Sequence, residues 1–417
     1  MRKTLLIVLL AVSLEAVTGC KSFYGDLLAA SLKKGKARLN FTTYQKFHIC
    51  PRCIKKKSFE GSTSIADVNV VYQRGLEQQA DCIAKHFSEL LDEVEQKTAF
   101  QISCRTKFYL FRVDEIPQTV DVTLQADVNE LQFPLFVEAG NESCQAIFSQ
   151  NIAYPKSLVH ELTEFSLILP KQGGIVLPDA KGRLLLFPIN ILKYTRWFRD
   201  GFAEYVGYLA YQIASKEENF AQSRDRGYSG RRKYPFSSLR KVGNKLFSWH
   251  QYSRDKSSDA YYDAAFGLFL LIEQRFGEDA IKKIMLEVNK QEYLDGSDLI
   301  KIFNRTLNTD IVQLAEDFKF PKTGLKTEPL MLALVLNEGL DVKQGLFVKT
   351  TDPNSPAETA GIKKKDVILK VNDRPIRNHL DFELAIFKVM DDQSAELAIW
   401  RKDKGEFVLK LPLTNGR

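Results

Sequence analysis

The spacing of apolar residues changes its period near Pro321, and this change limits the chain to folds with a helical part followed by a β part. Between Pro155 and residue 318, apolar residues recur mostly at the spacing of a helix with one buried face. Beyond a short linker at 322–328 the pattern becomes typical of strands. The predicted fold class is therefore α+β, in more than one domain.

A mixed α/β part precedes the helical region. Apolar residues from Leu76 to Val94 share one face of a predicted long helix. Strands are predicted over 107–113, 120–124 and 134–138. The predicted helices of the central region cover 155–169, 195–217, 258–277, 278–289, 296–306 and 309–318. The predicted segments are a tether over 20–60, the mixed part over 61–154, the helical domain over 155–321 and the β domain over 329–414.

Two stretches inside the helical region are predicted to lack regular structure. Residues 170–190 are punctuated by Gly and Pro, which indicates a loop. Residues 219–257 are polar and rich in Arg, Ser and Lys, which indicates a mobile excursion.

The first twenty residues have the pattern of an export signal. Two basic residues are followed by an apolar run from Leu5 to Val12 and by small residues before Cys20. That run is too short to span a membrane, so residues 1–19 are predicted to be a cleaved signal peptide. Cys20 resembles the lipidated cysteine of a bacterial lipobox, which implies an anchor on the outer side of the cytoplasmic membrane or in the outer membrane. An ordinary signal peptide with an incidental cysteine is the alternative.

Charge and cysteine content set the class of partner and compartment. The formal net charge is +7, but basic and acidic residues are interleaved, so no nucleic-acid partner is predicted. Five cysteines follow the anchor, and disulfides are expected in an oxidising, exported compartment. The pair Cys50 and Cys53 forms a CxxC motif that suits a redox pair, half a metal site or two separate bridges, and structural bridging is favoured.

The sharpest motif of the helical region is His160-Glu161-Leu162-Thr163-Glu164. Positions i and i+4 share a helical face, so His160 and Glu164 can contact one metal ion while Glu161 reaches a water bound to it. Zinc accepts imidazole and carboxylate ligands alike. The motif is similar to the HExxH signature of zinc peptidases, in which the last position is His where this chain has Glu164.

A second motif reads Arg196-Trp197-Phe198-Arg199-Asp200-Gly201-Phe202-Ala203-Glu204-Tyr205. It resembles the second signature of the gluzincin clan of metallopeptidases, the thermolysin-related group that includes alanyl and glycyl aminopeptidases. In that clan a Glu-Gly-x-Ala segment supplies the third metal ligand, which implies Asp200 here, with Glu204 as an alternative or supporting residue. The interval from Glu164 to Asp200 is longer than is usual in the clan and requires 170–190 as an insertion.

A third motif, Tyr261-Tyr262-Asp263-Ala264-Ala265-Phe266-Gly267, is similar to the helix that follows the site in those peptidases. That helix often carries a tyrosine that hydrogen-bonds the oxyanion of the reaction. The resemblance implies this role for Tyr262, with Tyr261 second, and packing or capping by both is the alternative. His250 is a candidate replacement ligand or donor, against a solvent-facing loop histidine.

The clan resemblance implies hydrolysis of peptide bonds with zinc as cofactor. His160, Glu164 and Asp200 would hold the ion, and Glu161 would take a proton from metal-bound water as it attacks a peptide carbonyl. A ligand set with one imidazole and two carboxylates makes the metal a weaker Lewis acid than the usual two-His, one-Glu set. Two alternatives are a pseudopeptidase that holds ligands or partners and a chance His-Glu pair on a surface helix.

The residues after 329 carry three ordered segments of a further resemblance. They are Gly345 to Lys349, Ser355-Pro356-Ala357-Glu358-Thr359-Ala360-Gly361-Ile362 and Asp366 to Asn372. These resemble the groove strand, the Ser-Pro-Ala turn and the following strand of bacterial PDZ domains, which are β-barrel-like. A helix over 381–389 and strands over 395–400 and 407–411 are expected. Lys365 and Asp373 stand where the family usually has Gly.

The PDZ resemblance implies that the domain binds an extended polypeptide or the carboxyl terminus of a peptide. The exposed edge is predicted at Leu346, Phe347, Val348 and Lys349, with the carboxylate loop at 339–345. Leu346, Val348, Leu384 and Phe387 are candidates for the terminal pocket, or for plain core. The whole chain is thus predicted to be a membrane-anchored metallopeptidase-like protein with a peptide-binding module, or a catalytically inactive envelope scaffold.

Overall fold

A computed structural model describes most of the chain beyond residue 58. The described residues are 59–102, 105–112, 125–127, 130–137, 143, 147, 156–168, 174–178, 184–188, 195–214, 234–249, 258–291, 295–330 and 332–413. The predicted signal peptide, Cys20, the Cys50/Cys53 pair, the strand at 120–124 and His250 lie outside them. Within the described residues, no helix is long and apolar enough to cross a membrane.

The chain forms two compact units whose boundaries do not follow the sequence order. The first unit comprises residues 1–223, 247–259 and 269–311. The second comprises residues 224–246, 260–268 and 312–417, so that three pieces of the predicted helical domain, the last of them 312–321, group with the carboxy-terminal part. Helices and strands together confirm the α+β class.

The first unit contains a mixed five-stranded sheet covered by a long helix. Its early elements are β1 Phe59–Ile65, β2 Val68–Gln73, α1 Glu77–Thr98, β3 Arg105–Arg112, β4 Gln125–Asp127 and β5 Glu130–Val137. The strand order is β1-β2-β3-β5-β4, with β2, β3 and β5 parallel. Helix α1 makes the crossover that two parallel strands require. Its apolar stripe packs on the sheet, where the rings of Phe87 and Phe108 meet edge to face at 5.2 Å.

Two helices and a hairpin follow in the first unit. They are α2 Lys156–Ile168, the hairpin of β6 Gly174–Pro178 with β7 Leu184–Pro188, and α3 Arg196–Ala214. The expectation of an irregular loop over 170–190 is therefore corrected. The Gly/Pro punctuation marks the ends of the two strands, and the apolar residues between these ends pair across the hairpin.

Helix α3 lies very close to α2. A Cβ on Gly207 of α3 would approach the backbone oxygen of Lys156 to 2.7 Å and the Cβ of His160 to 3.3 Å. A larger residue at position 207 would therefore push the two helices apart. This contact sets the distance between the two motifs that the sequence singles out.

The next elements include a helix inside the stretch predicted to be a mobile excursion. They are α4 Pro235–Val242, a 3₁₀ helix Gly243–Ser248, α5 Ser258–Phe276, α6 Asp279–Asn289, α7 Gly296–Leu307 and α8 Ile311–Asp317. Residues 234–249 are ordered because Phe236, Leu239, Leu246 and Trp249 are fully buried. Their near-helical spacing is difficult to recognise in the sequence, because Arg, Ser and Lys residues surround them.

The aromatic core of the first unit centres on α3. The rings of Trp197, Phe198 and Phe202 contact one another or the rings of Phe269 and Phe303 at centroid distances between 5.3 and 6.1 Å. All five side chains are buried. This core fixes the orientation of α3 and hence of the polar side chains that the helix carries on its other face.

The second unit is built on a six-stranded antiparallel sheet. Its elements are β8 Leu325–Pro329, α9 Leu332–Glu338, β9 Leu346–Thr351, α10 Pro356–Thr359, β10 Val367–Val371, β11 Arg374–Pro375, α11 His379–Lys388, β12 Ser394–Arg401 and β13 Gly405–Pro412. The strand order is β13-β12-β10-β9-β8, and β11 pairs with β10. The predicted linker at 322–328 therefore contains most of the edge strand β8, whose pairing with β9 compensates for its single Leu.

Replacement of Gly207 by Ala is expected to destabilise the first unit by about 1–3 kcal/mol, because the added methyl group overpacks the α2–α3 contact. The better helix propensity of Ala returns only about 1 kcal/mol of this. Urea denaturation of the full chain measures the change. Gln212→Ala, on the exposed face of the same helix, is the control and should stay within about 0.5 kcal/mol of the parent. Equal stability of the two variants would contradict the close contact.

Candidate functional site

The close contact of α2 and α3 brings most of the predicted metal-site residues together. His160 Nε2 lies 3.7 Å from Glu164 Oε1 on the same helix, and His160 Nδ1 lies 3.8 Å from Glu204 Oε1 on α3. Asp200 and Glu164 are fully buried, whereas Glu161 is half-buried. The sequence therefore identified a true cluster of acidic groups and one imidazole.

Three cations lie in the same cluster. Arg196 Nε donates to Asp200 Oδ2 at 2.8 Å, and Arg199 Nη2 and Nε donate to Asp200 Oδ1 at 2.7 and 3.0 Å. Lys156 Nζ lies 2.8 Å from Glu204 Oε2. Sequence reasoning missed these roles, although Arg196 stands one helical turn before Asp200, the spacing at which an Arg–Asp pair forms.

Asp200 is an ionised carboxylate held by two guanidinium groups. Burial alone would raise the pKa of Asp200, but the charges of Arg199 and Arg196 outweigh burial and hold this pKa below its ordinary value. The Arg196 guanidinium also stacks over the Trp249 ring, 4.2 Å from its centroid. Both oxygens of Asp200 are therefore already engaged by fixed donors.

The pKa of Glu164 shifts in the opposite direction. Burial raises the pKa of Glu164 well above its ordinary value, and Arg199 lowers it only in part because the neighbouring Asp200 and Glu161 raise it further. The Nε atom of Arg199 is 3.7 Å from Glu164 Oε1, so the same guanidinium faces both buried carboxyl groups. One guanidinium between two buried carboxyl groups favours a single negative charge on the pair.

These residues do not fit a zinc ion as the clan resemblance implies. Zinc needs three protein donors at about 2.0–2.2 Å for imidazole and carboxylate ligands. Asp200 already accepts three hydrogen bonds from guanidinium groups, and Arg199 places a permanent positive charge between Asp200 and Glu164. Within the described parts of the chain, no three His, Cys, Asp or Glu residues are arranged to hold a metal.

The two tyrosines predicted to contact the oxyanion lie on α5. Tyr261 and Tyr262 lie in the part of α5 that belongs to the second unit, and their predicted role at the oxyanion stays a prediction.

Cys82 on α1 forms a disulfide bond, as expected for an exported chain.

In the second unit the strand predicted to be the exposed edge is an inner strand. Leu346, Phe347, Val348 and Lys349 belong to β9, which pairs with β10 on one side and β8 on the other. Leu346 and Val348 are fully buried core residues. The prediction that β9 is an exposed edge is therefore wrong, and the ends of the strand order are β8 and β13. Strand order depends on pairing between distant segments, which a pattern within one strand does not contain.

Helix α11 lies beside the edge strand β8. The Nε2 atom of His379, on the first turn of α11, is 3.1 Å from the backbone oxygen of Thr327 in β8. Glu383 and Phe387 follow His379 at one-turn intervals and so share its face of the helix. Both are buried. The space between β8 and this face of α11 is the candidate peptide groove, because a peptide can add as a strand only to an unpaired edge.

Comparison with known proteins identifies the carboxy-terminal part of the chain. Residues 325–399 match the model of the PDZ domain. A probable periplasmic serine endoprotease DegP-like of Brucella suis is 30% identical over 83 residues, which is 20% of this chain and 16% of that protein. The magnetosome formation protease MamE of Paramagnetospirillum magneticum is 32% identical over 78 residues, 19% of this chain and 11% of that protein. The match thus spans a small part of these relatives.

Two solved structures are similar at low score. The HtrA3 PDZ domain bound to a phage-derived ligand aligns with 22% of this chain and 86% of its own, at 22% identity and a TM-score of 0.21. An aminopeptidase N family protein from Idiomarina loihiensis aligns with 85% of this chain and 67% of its own, at 11% identity and a TM-score of 0.36. The family match confirms the prediction that residues 325–399 of this chain are a PDZ domain.

Proposed function

We propose that this chain is a peptide-binding protein of the bacterial cell envelope whose metallopeptidase-like unit has lost metal-dependent hydrolysis. The loss of hydrolysis is inferred from the Arg199 guanidinium, which lies against both buried carboxyl groups that the clan resemblance assigns to the metal. Peptide binding is inferred from the PDZ domain, because such domains bind extended polypeptide.

Charge chemistry explains why an arginine does not replace a metal in hydrolysis. A catalytic zinc lowers the pKa of a bound water from 15.7 to about 7 and so supplies hydroxide at neutral pH. A guanidinium has no open coordination position and keeps its proton, since its pKa exceeds about 12. Glu161 then has no acidified water from which to take a proton. Lys156 of α2 pairs with Glu204 of α3, and Arg199 of α3 lies 3.7 Å from Glu164 of α2, so the cluster instead stabilises the packing of α2 on α3.

The envelope location rests on the export signal and Cys20. A lipid on Cys20 would hold the protein at a membrane surface, with the peptide-binding domain at the far end of the chain. Radiolabelled fatty acid incorporated by the parent and absent from Cys20→Ala would support this proposal.

Zinc analysis separates a peptide-binding protein from an active peptidase. The full chain, incubated with zinc and then dialysed, is expected to retain far less than one zinc per molecule by elemental analysis, because Arg199 repels a second cation. Hydrolysis of fluorogenic peptides should be equally low for the parent and for Glu161→Gln. One bound zinc per chain that His160→Ala removes, together with activity abolished in Glu161→Gln, would establish the hydrolase instead.

Replacement of Arg199 by Met is expected to lower the free energy of unfolding of the first unit by about 3–5 kcal/mol, because it leaves a buried negative charge with one partner removed. Urea denaturation at neutral pH measures the loss. Arg305→Met is the matched control. Arg305 is exposed and pairs with Glu287 at 3.0 Å, so its loss should change stability by no more than about 1 kcal/mol. Equal effects of the two changes would show that the buried network adds no stability.

Peptide binding is expected at the β8 edge. Peptides selected from a phage-displayed library of random C-terminal sequences serve as fluorescent probes for anisotropy titration. Thr327→Pro is expected to weaken binding by about tenfold or more, because it removes a backbone N–H from this strand. Val408→Pro makes the same change in the opposite edge strand β13 and should leave the dissociation constant within about twofold. The reverse order of effects would assign the ligand to the other edge. Circular dichroism confirms folding of both variants.

A further inference from the structure

The first turn of α4 lies on the groove face of α11, within the second unit. The backbone N–H of Phe236 donates to Glu383 Oε2 at 2.8 Å, and that of Ser237 lies 3.3 Å from each carboxylate oxygen. Amides in the first turn of a helix have no partner inside that helix. Glu383 thus caps α4 with a side chain 147 residues away in sequence from Phe236.

Aromatic contacts extend this interaction along α11. The ring of Tyr234 lies 4.7 Å from that of His379, and the ring of Phe236 stacks on that of Phe387 at 4.3 Å with an interplanar angle of 12°. Phe318 and Phe320 complete the pocket around Phe236. Three successive positions of one helical face are therefore covered by the four residues Tyr234 to Ser237.

The covered face borders the candidate peptide groove. His379 reaches Thr327 of the edge strand, so the stripe formed by His379, Glu383 and Phe387 borders the space beside β8. A peptide that adds to β8 would present its side chains to this same stripe. The segment Tyr234–Ser237 already contributes the groups that such a ligand would bring, namely an aromatic side chain and backbone N–H donors.

The segment is also held from its opposite side. The N–H of Tyr234 donates to Asp263 Oδ2 at 3.0 Å. Gly267 allows close approach, since a Cβ there would lie 2.3 Å from the backbone oxygen of Pro235. Burial raises the pKa of Glu383 to about 7 although the hydrogen bonds from Phe236 and Ser237 favour its charged form. The capping carboxylate is therefore held against a cost of desolvation, which limits how firmly it retains the segment.

We propose that Tyr234–Ser237 is a built-in occupant of the PDZ groove, so that the domain binds external polypeptide only after this segment leaves. The inference rests on the proposed peptide-binding function and adds a ligand class to it. The favoured ligand is a polypeptide with an aromatic side chain that replaces Phe236 against Phe387.

Binding to the full chain tests the proposal. The probes are fluorescent peptides selected on Glu383→Ala from a phage-displayed library of random C-terminal sequences. Glu383→Ala removes the cap of α4 and is expected to bind them about tenfold or more tightly than the parent, because a larger fraction of molecules has an open groove. Glu383→Gln, which keeps an acceptor oxygen, should return the affinity toward the parent value. Asp392→Ala, an exposed acidic residue beyond α11, is the control and should match the parent.

The outcomes distinguish this inference from the function on which it rests. Equal affinity of the parent and Glu383→Ala would overturn the occupied groove and leave peptide binding intact. Failure of every protein to bind any selected peptide would overturn the function as well.

A second measurement uses the unaltered protein, in case Glu383→Ala does not fold. Saturating peptide selected on the parent should accelerate hydrogen exchange at the amides of Phe236 and Ser237, and unchanged exchange with peptide bound would overturn the proposal.

Discussion

The first unit depends on the buried ion pairs between Asp200 and the two arginines that flank it on α3. Removing a carboxylate from water costs several kcal/mol, and only close, hydrogen-bonded cations offset that cost. Arg196 and Arg199 meet this condition with three hydrogen bonds of 3.0 Å or less. The same pairing decides the chemistry of the site, because a guanidinium beside Glu164 and Asp200 supplies positive charge without a coordination position. Lys156 with Glu204 and Arg199 with Glu164 connect α2 to α3, so the cluster is better suited to hold the two helices together than to hold a metal.

The second unit has its own central constraint, which is the order of strands in its sheet. Because β9 is paired on both sides, the ends of the strand order are β13 and β8, and β8 has little apolar character of its own. The face of α11 beside β8 is then covered by the first turn of α4 through one carboxylate and two aromatic contacts. Residues far upstream of residue 325 therefore pack against a helix of the PDZ domain.

Local patterns predicted most of the helices well. The helices at 278–289 and 296–306 end within one or two residues of α6 and α7, because their apolar stripes are regular and Asp295 caps α7 through Ser297 and Asp298. The helix at 235–242, the hairpin at 174–188 and the strand β8 were missed. Each of these is short, and each is specified by contacts with distant residues: Phe236 by Phe387, and Leu325 to Pro329 by β9. Periodicity within a dozen residues carries no information about such partners.

Some features of the candidate sites follow from the local sequence, and others depend on the tertiary structure. The sequence by itself placed His160 with Glu164 and Asp200 with Glu204, because helical spacing puts each pair on one face. That the two pairs lie near each other was implied only by the clan resemblance, and the packing of α2 on α3 sets the His160–Glu204 distance at 3.8 Å. The sequence also determined the PDZ domain, whose Ser-Pro-Ala turn and strand motifs are local. Only the tertiary structure decided that Arg196, Arg199 and Lys156 would neutralise the acidic cluster, and that β8 rather than β9 would be the open edge. The reason is physical: charge pairing and strand order are set by distances through space, and those distances exist only once α2 has packed on α3 and the sheet has closed.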